Sequence, residues 1–150
     1  MREIQYPDEL KSLVGQDIAV SDWIEISQER VNTFAEATGD YQWIHVDVER
    51  AKRESPFGGP VAHGFLTLSL LPKLMENAIK MTNVKMGVNY GLNKVRFPAP
   101  VLVGNRIRGR FKLLEVTDIR DGTQLIFEVI MEREGSEKPV CVVESIMRCY

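Results

Sequence analysis

The longest apolar stretch of the chain, from Phe65 to Ile79, limits the fold more than any other feature. Drawn as a helix, it carries apolar side chains on nearly every side, and a helix of that kind is normally enclosed by other structure. Pro72 lies inside the stretch and predicts a kink or one loosened turn. We therefore expect a buried central helix.

The segments around this helix have the texture of strands, with β-branched and aromatic residues in partial alternation. The pattern predicts strands over 17–26, 84–95, 106–119, 125–134 and 140–150. Asp121-Gly122 predicts a tight hairpin. One apolar helix followed by a run of long strands favours an antiparallel sheet wrapped round that helix, which is an α+β fold. Pairing of two copies would cover the free edge of such a sheet.

Shorter helices are expected before the apolar stretch. Ser27 is a suitable N-cap for a helix that Gly39 ends, and Asp47 is a suitable N-cap for a helix over 48–53. Another short helix is expected over 7–14. The segment from Asp40 to His45 is expected to be a loop.

The composition is that of one soluble globular domain, which we place over residues 1–150. With 44% hydrophobic residues and a net charge of -2, the chain gives no argument for a nucleic-acid or membrane partner. Cys141 and Cys149 lie too far apart along one strand to form a disulfide. They indicate reduced thiols in a cytoplasmic protein.

Asp40 and His45 are the first candidates for chemistry. A loop leaving a helix can turn both side chains into one cleft, where a carboxylate and an imidazole share a water molecule and act as general acid and base. The plainer alternative is that Asp40 caps a turn while His45 is a packed histidine. The spacing alone does not choose between them.

His63-Gly64 is the second candidate. Gly64 immediately precedes the apolar helix, whose first N–H groups have no partner within the helix and favour a developing negative charge. Glycine also permits a substrate to approach the backbone closely. Alternatively, Gly64 only allows a tight turn.

Other site chemistries fit less well. The two histidines with Asp40 or Asp47 match no compact zinc spacing, so no metal is expected. Ser69 lacks the context of a nucleophile. Lys94 and Arg96 share one face of a strand and would suit the phosphates of a carrier such as coenzyme A, although a solvated strand face is the simpler interpretation.

Three blocks in order, ATGDYQWIHVD, GPVAHGFLTLSLL and NKVRFPAPVLVG, resemble the MaoC-like dehydratase family. Within it, the chain is most similar to (R)-specific enoyl-CoA hydratases (hydratase 2) of the NodN-like subgroup, over roughly residues 15 to 148. The resemblance implies a hotdog fold, with a sheet wrapped round a central helix, and a homodimer. It also implies the reaction: water adds to a trans-2-enoyl-CoA to give an (R)-3-hydroxyacyl-CoA, or leaves in the reverse dehydration.

By the same resemblance, Asp40 and His45 are the catalytic residues, and the N–H of Gly64 binds the thioester oxygen. Trp43, His63, Lys94 and Arg96 are expected to contact substrate. No metal or redox cofactor is implied, since the coenzyme A thioester is the substrate.

The chain departs from the family pattern D-x-N-P-[LIV]-H by carrying Gln42 and Trp43 in place of Asn and Pro. Bulky Trp43 predicts an altered acyl-chain preference. Two other functions stay open: a non-catalytic acyl-CoA-binding or partner subunit, and a thioesterase. The partner subunit is disfavoured because both Asp40 and His45 are present. The thioesterase would need a carboxylate or a Ser or Thr hydroxyl aimed at the thioester from the central helix, where Glu76, near the far end, is the only carboxylate.

Overall fold

The computed structural model describes all 150 residues. The strands are β1 (Arg2–Gln5), β2 (Asp17–Val20), β3 (Ile24–Glu25), β4 (Ile79–Thr82), β5 (Gly87–Arg96), β6 (Arg106–Ile119), β7 (Gly122–Arg133) and β8 (Cys141–Cys149). The helices are α1 (Gln28–Thr38), α2 (Trp43–Val46), α3 (Val48–Glu54), α4 (Gly64–Ser69) and α5 (Leu71–Ala78), with a 3-10 helix at Leu10–Leu13.

A six-stranded antiparallel sheet forms most of the fold, in the order β2-β6-β7-β8-β5, and β3 also pairs with β6. The long β6–β7 hairpin turns at Asp121, which has a φ of 62°. Aspartate is among the few residues that adopt this left-handed conformation readily. The predicted hairpin and the predicted antiparallel sheet are therefore confirmed.

The core lies between one face of this sheet and the central helices. Alternate residues of the long strands are buried because successive side chains of a strand point to opposite faces. From β6, β7 and β8 these are Phe111, Leu113, Phe127, Val129, Met131 and Val143. Leu74 and Ala78 of α5 are fully buried in the same cluster. The sheet thus wraps round the helical segment, as predicted.

The helix predicted over 65–79 is interrupted, as Pro72 indicated, but it ends earlier than predicted. The segment divides at Leu70 into α4 and α5, and Pro72 occupies the first turn of α5. A proline is tolerated there because the first-turn N–H groups have no partner within the helix. Ile79 already belongs to β4, and Phe65 is 72% exposed. The apolar stretch is therefore not buried on every side.

The N-terminal part also differs from expectation. The strand predicted over 17–26 is two strands, and at the break the Ser21 hydroxyl accepts a hydrogen bond from the N–H of Gly109 at 2.9 Å. The helix expected over 7–14 is only a short 3-10 helix. A parallel pair formed by β1 and β4 was not predicted, because neither four-residue strand shows a clear alternation.

The helix ends that flank the candidate residues are as predicted. The Ser27 hydroxyl accepts a hydrogen bond from the N–H of Arg30, and Gly39 ends α1 with a φ of 79°. A left-handed residue at that position favours glycine. Asp47 caps α3 by accepting a hydrogen bond from the N–H of Arg50 at 3.0 Å. These caps fix where the chain leaves α1 and enters α3, and Asp40 lies directly after the first of them.

Strand β5 forms one edge of the sheet, paired only with β8. Val88, Tyr90 and Leu92 are each at least one-third exposed along it. A long edge strand with unpaired main-chain groups and apolar side chains is a template for pairing with another chain.

Cys141 and Cys149 are free and buried. Burial raises the pKa of each thiol to about 11, so neither is a thiolate near neutral pH. No helix in the structure has both the length and the apolar character that crossing a membrane requires.

Candidate active site

Asp40 begins the site as the second residue beyond α1. Its carboxylate turns back on the chain, where Oδ1 accepts a hydrogen bond from the N–H of Gln42 at 3.3 Å. The side chain is exposed. Asp40 is thus held locally while its second carboxylate oxygen is left free for a ligand.

His45 lies on the short helix α2 rather than in a loop, which corrects the prediction for this segment. Its Nδ1 lies 2.6 Å from the carbonyl oxygen of Val61. A carbonyl can only accept, so Nδ1 carries the proton, and Nε2 of the neutral ring presents a lone pair. The main chain is held as well, because Gln28 Nε2 donates to the His45 carbonyl at 2.8 Å.

The environment of His45 favours its neutral form. Burial lowers the pKa of His45 below its usual 6.5, and the neighbouring His63 acts in the same direction. The hydrogen bond to the Val61 carbonyl and the charge of Asp40 oppose this shift without cancelling it. His45 is therefore a neutral imidazole near pH 7, which is the state that a general base requires.

His63 lies against His45 with the two rings stacked. Their centroids are 3.8 Å apart and their planes are inclined by 24°. The His63 Nε2 lies 3.0 Å from the main-chain carbonyl of Asp40, and Phe34 packs on the ring with centroids 4.8 Å apart. His63 Nδ1 is buried without a hydrogen-bond partner.

The structure therefore brings Asp40, His45 and His63 together, so that one ligand atom from each lies within 4.8 Å of the other two. No hydrogen bond joins the Asp40 carboxylate directly to either ring. These are the residues that could hold a metal ion.

Gly64 is the first residue of α4, and its N–H, with those of Phe65 and Leu66, donates to no group in the chain. A Cβ atom at Gly64 would lie 3.3 Å from the ring of Phe97. Gly64 and Phe97 both line a cavity of about 310 Å³. The unpaired N–H groups at this helix start form a place where a negatively charged oxygen is stabilised.

A larger groove of about 660 Å³ runs between the central helices and β5. Its walls are mostly apolar, with Phe65, Leu68, Leu71 and Met75 on one side and Val88, Leu92 and Met147 on the other. Phe34 also lines it, and the same ring packs on His63, so one aromatic side chain contacts both the groove and the histidine pair.

None of the four residues expected to contact substrate, Trp43, His63, Lys94 and Arg96, lines either cavity. The Arg50 guanidinium lies over the Trp43 ring, 4.2 Å from its centroid. Lys94 pairs with Glu144 at 3.5 Å, and Arg96 donates to the neighbouring carbonyl of Val95. The position of Trp43 gives no support to its expected role in chain-length preference.

Sequence reasoning missed four residues that shape the site: Gln28, Phe34, Val61 and Phe97. Each acts through a long-range contact, and no local pattern in the sequence marks it. Val61 lies only two residues before His63, and this proximity was a usable signal for Val61, because both residues belong to one extended segment that contacts His45.

Glu76, the carboxylate that a thioesterase would need, lies away from this site. It pairs with Lys73 at 3.1 Å on the exposed side of α5 and lines neither cavity. The structure therefore does not bring Glu76 together with the other candidate residues.

Comparison with known proteins gives consistent results. The family model described as "MaoC like domain" matches residues 9–134. The chain is 52% identical to "3-hydroxyacyl-thioester dehydratase Z" of Mycobacterium tuberculosis, over 99% of this chain and 98% of that protein. It is 46% identical to "Nodulation protein N" of Rhizobium leguminosarum bv. viciae, over 93% of this chain and 87% of that protein.

Solved structures agree on the fold. An (R)-hydratase from A. caviae, described as involved in PHA biosynthesis, matches with a TM-score of 0.72 and 21% identity, over 89% of this chain and 94% of that chain. A protein from Archaeoglobus described as a monoamine oxidase regulatory protein matches with a TM-score of 0.77 and 23% identity, over 99% and 95%. The predicted α+β hotdog fold is confirmed.

Proposed function

The chain belongs to the MaoC-like domain family, and from that premise we propose that it is an (R)-specific enoyl-CoA hydratase and dehydratase. The protein is a hydro-lyase of fatty-acid metabolism, since relatives that it matches over most of its length are dehydratases of acyl thioesters. The finer proposal concerns the (R) stereochemistry of the product, coenzyme A as the acyl carrier, and the identity of the catalytic residues.

The observation that carries the proposal is the spacing between Asp40 and His45. The two side chains come within 4.8 Å of each other without a direct hydrogen bond. One water molecule bonded to both at about 2.8 Å, with a near-tetrahedral angle, spans about 4.5 Å. This spacing supports the proposal that one water molecule is bonded to both side chains.

His45 is suited to take the proton from this water. Its Nε2 is the unprotonated nitrogen of the neutral ring, because Nδ1 donates to Val61. Nε2 makes no hydrogen bond within the chain and is not among the buried unpartnered atoms, so it is accessible. Asp40 accepts the other hydrogen of the water and aims its oxygen at the β-carbon.

Addition proceeds in two steps through an enolate. The water oxygen bonds to the β-carbon as its proton passes to His45, and the electrons of the double bond move onto the thioester oxygen. The enolate then collapses as the Asp40–His45 pair returns a proton to the α-carbon. Dehydration is the reverse, and neither direction requires a metal or a redox cofactor.

The thioester oxygen carries the negative charge in this step, and we assign its stabilisation to the N–H of Gly64. That N–H is unpaired and lies at a helix start. A donor aimed at a charge that develops only in the transition state raises the rate rather than merely tightening binding.

The groove between the central helices and β5 is the proposed acyl site. A chain of methylene groups is stabilised by apolar walls, and this groove presents them beside the histidine pair. Lys94 and Arg96 remain candidates for the carrier phosphates. Both lie on β5, and Lys94 is 76% exposed.

A homodimer fits the exposed edge of the sheet. Pairing of β5 with its copy would satisfy the free main-chain groups of this edge. Such a symmetric contact buries the same strand on both copies.

The test is loss of enoyl-thioester absorbance with crotonyl-CoA for the native protein, Asp40→Asn and His45→Gln. We expect hydration by the native protein, an (R) product, no release of free thiol, and a fall of at least about 100-fold for each variant. Native protein that is inert on short and medium enoyl-CoAs would favour the acyl-binding or partner-subunit alternative. Release of thiol would favour a thioesterase.

A further inference from the structure

His63 touches both members of the proposed catalytic pair but points no free donor at the substrate. We propose that His63 is a positioning residue, which fixes Asp40 through its Nε2–H and supports the His45 ring by stacking, in the tautomer opposite to that of His45. The effect of His63 on the rate rests on the proposed function, whereas its contacts with Asp40 and His45 are properties of the chain itself.

The tautomers follow from the two carbonyl partners. Val61 accepts from Nδ1 of His45, at 2.6 Å, so that ring carries its proton on Nδ1. Asp40 accepts from Nε2 of His63, at 3.0 Å, so the second ring carries its proton on Nε2. Carbonyl oxygens have no hydrogen to offer, and each neutral imidazole has one N–H to give.

The contact with Asp40 sets the place of its carboxylate. The accepting atom is the main-chain carbonyl of Asp40 itself, so holding it limits the motion of the Cα atom that carries the side chain. Gln42 restrains the carboxylate from the other direction. Asp40 is exposed and follows a helix end, where a residue without such anchors is mobile.

The stacking contact sets the orientation of His45. The hydrogen bond to Val61 fixes one edge of the ring, and the His63 face at 3.8 Å prevents rotation about the last side-chain bond. Phe34 packs against His63, with the two ring centroids 4.8 Å apart. Asp40 and His63 are the titratable groups beside His45. The other residues that contact the two histidines, Gln28, Phe34 and Val61, are uncharged.

Burial of the His63 ring argues for a positioning role and against direct contact with substrate. His63 is 2% exposed, its Nε2–H is used by Asp40, and its Nδ1 is enclosed. The resemblance to the family implied substrate contact for His63, whereas these contacts point to action through Asp40 and His45.

The first experiment reads the tautomers in the native protein without substrate. The chain has only two histidines, so nuclear magnetic resonance of isotopically labelled imidazole nitrogens gives two ring systems. We expect one ring protonated on Nδ1 and the other on Nε2 near neutral pH, assigned with His45→Gln. Two rings in the same tautomer would overturn the proposal, whatever reaction the protein catalyses.

The second experiment compares His63→Phe with His63→Gln. Phenylalanine keeps a ring for stacking but loses the donor, and glutamine keeps a donor at the position of Nε2. With crotonyl-CoA we expect His63→Phe to lower kcat about 100-fold with KM nearly unchanged, and His63→Gln to recover about tenfold of that loss. Unchanged kcat in His63→Phe, or a loss confined to KM, would overturn the proposal. Inactive native protein would instead refute the proposed function, and the tautomer measurement would still decide the role of His63.

Discussion

The imidazole rings of His45 and His63 stack with their centroids 3.8 Å apart, and each donates its one N–H to a main-chain carbonyl supplied by the other's segment. Val61, two residues before His63, accepts from His45. Asp40, five residues before His45, accepts from His63. The two segments are thus tied to each other twice, and every group assigned to water activation lies at this junction.

Gly64 can be tested with two substitutions that separate crowding from loss of the N–H. His63 has φ -59° and ψ 139°, which suits a residue before proline, and proline is tolerated at the first helical position. We expect Gly64→Pro to lower kcat by roughly 100- to 1,000-fold, because it removes the donor.

Gly64→Ala is the matched control, since it keeps the N–H and adds a methyl group that Phe97, which is 42% exposed, can move to admit. We expect a smaller loss of kcat from alanine than from proline. An equal loss in both variants would mean that space, rather than the N–H, is what Gly64 supplies.

The pH dependence of hydration should follow His45. The base must be neutral, and burial keeps its pKa below 6.5. We expect kcat/KM to fall on an acid limb whose midpoint lies below pH 6.5. A measured pH–rate profile with its acid limb midpoint above 6.5 would contradict this assignment.

The same group makes stability depend on pH. The unfolded chain protonates His45 at its usual value near 6.5, whereas the folded protein resists protonation until a lower pH. Below pH 6.5 the unfolded state therefore binds more protons, and the free energy of unfolding falls until the folded pKa is passed. Urea unfolding from pH 7.5 to pH 5 measures this.

His45→Gln is the control for that measurement. In this variant the free energy of unfolding should fall less steeply below pH 6.5. A curve of the same slope for the variant would assign the effect to other groups.

Chain-length preference should respond to Met75, which lines the apolar groove. Met75→Ala enlarges the groove, and we expect the ratio of kcat/KM for long over short enoyl-CoAs to rise about tenfold. Trp43→Pro is the control, because Trp43 lies outside the groove and Gln42, with φ -54° and ψ 135°, admits a following proline. A changed profile in Trp43→Pro alone would restore the role that the sequence suggested for Trp43.

The oligomeric state is measured by sedimentation. We expect a particle of twice the 17.1 kDa chain mass, because β5 leaves a long edge unpaired. A monomer at micromolar concentration would contradict the pairing of β5 with its copy.

Local rules predicted the elements whose signals are local. Ser27 and Gly39 mark the ends of α1 by side-chain and backbone chemistry that acts within a few residues. The alternation of β6 and the turn at Asp121 are equally local. These elements carry most of the sheet and the helix that precedes Asp40.

The remaining features depend on contacts between distant segments. Nothing near His63 in the sequence indicates that its ring rests on His45, since the contact forms only when α2 meets the strand-like segment at Val61. Pro72 did predict an interruption of the helix near Leu70, but the parallel pairing of Ile79 with Arg2 likewise depends on tertiary packing. A pattern read along the chain does not contain that information.

The extended segment from Val61 to Gly64 contributes the carbonyl that orients His45, the ring that stacks on it, and the N–H proposed for the thioester oxygen. A one-residue insertion there would displace all three groups at once. The groove residues lie outside this segment, chiefly on α4, α5 and β5. The fold therefore separates the part of the molecule that must stay constant for the reaction from the part that can change to accept a new acyl chain.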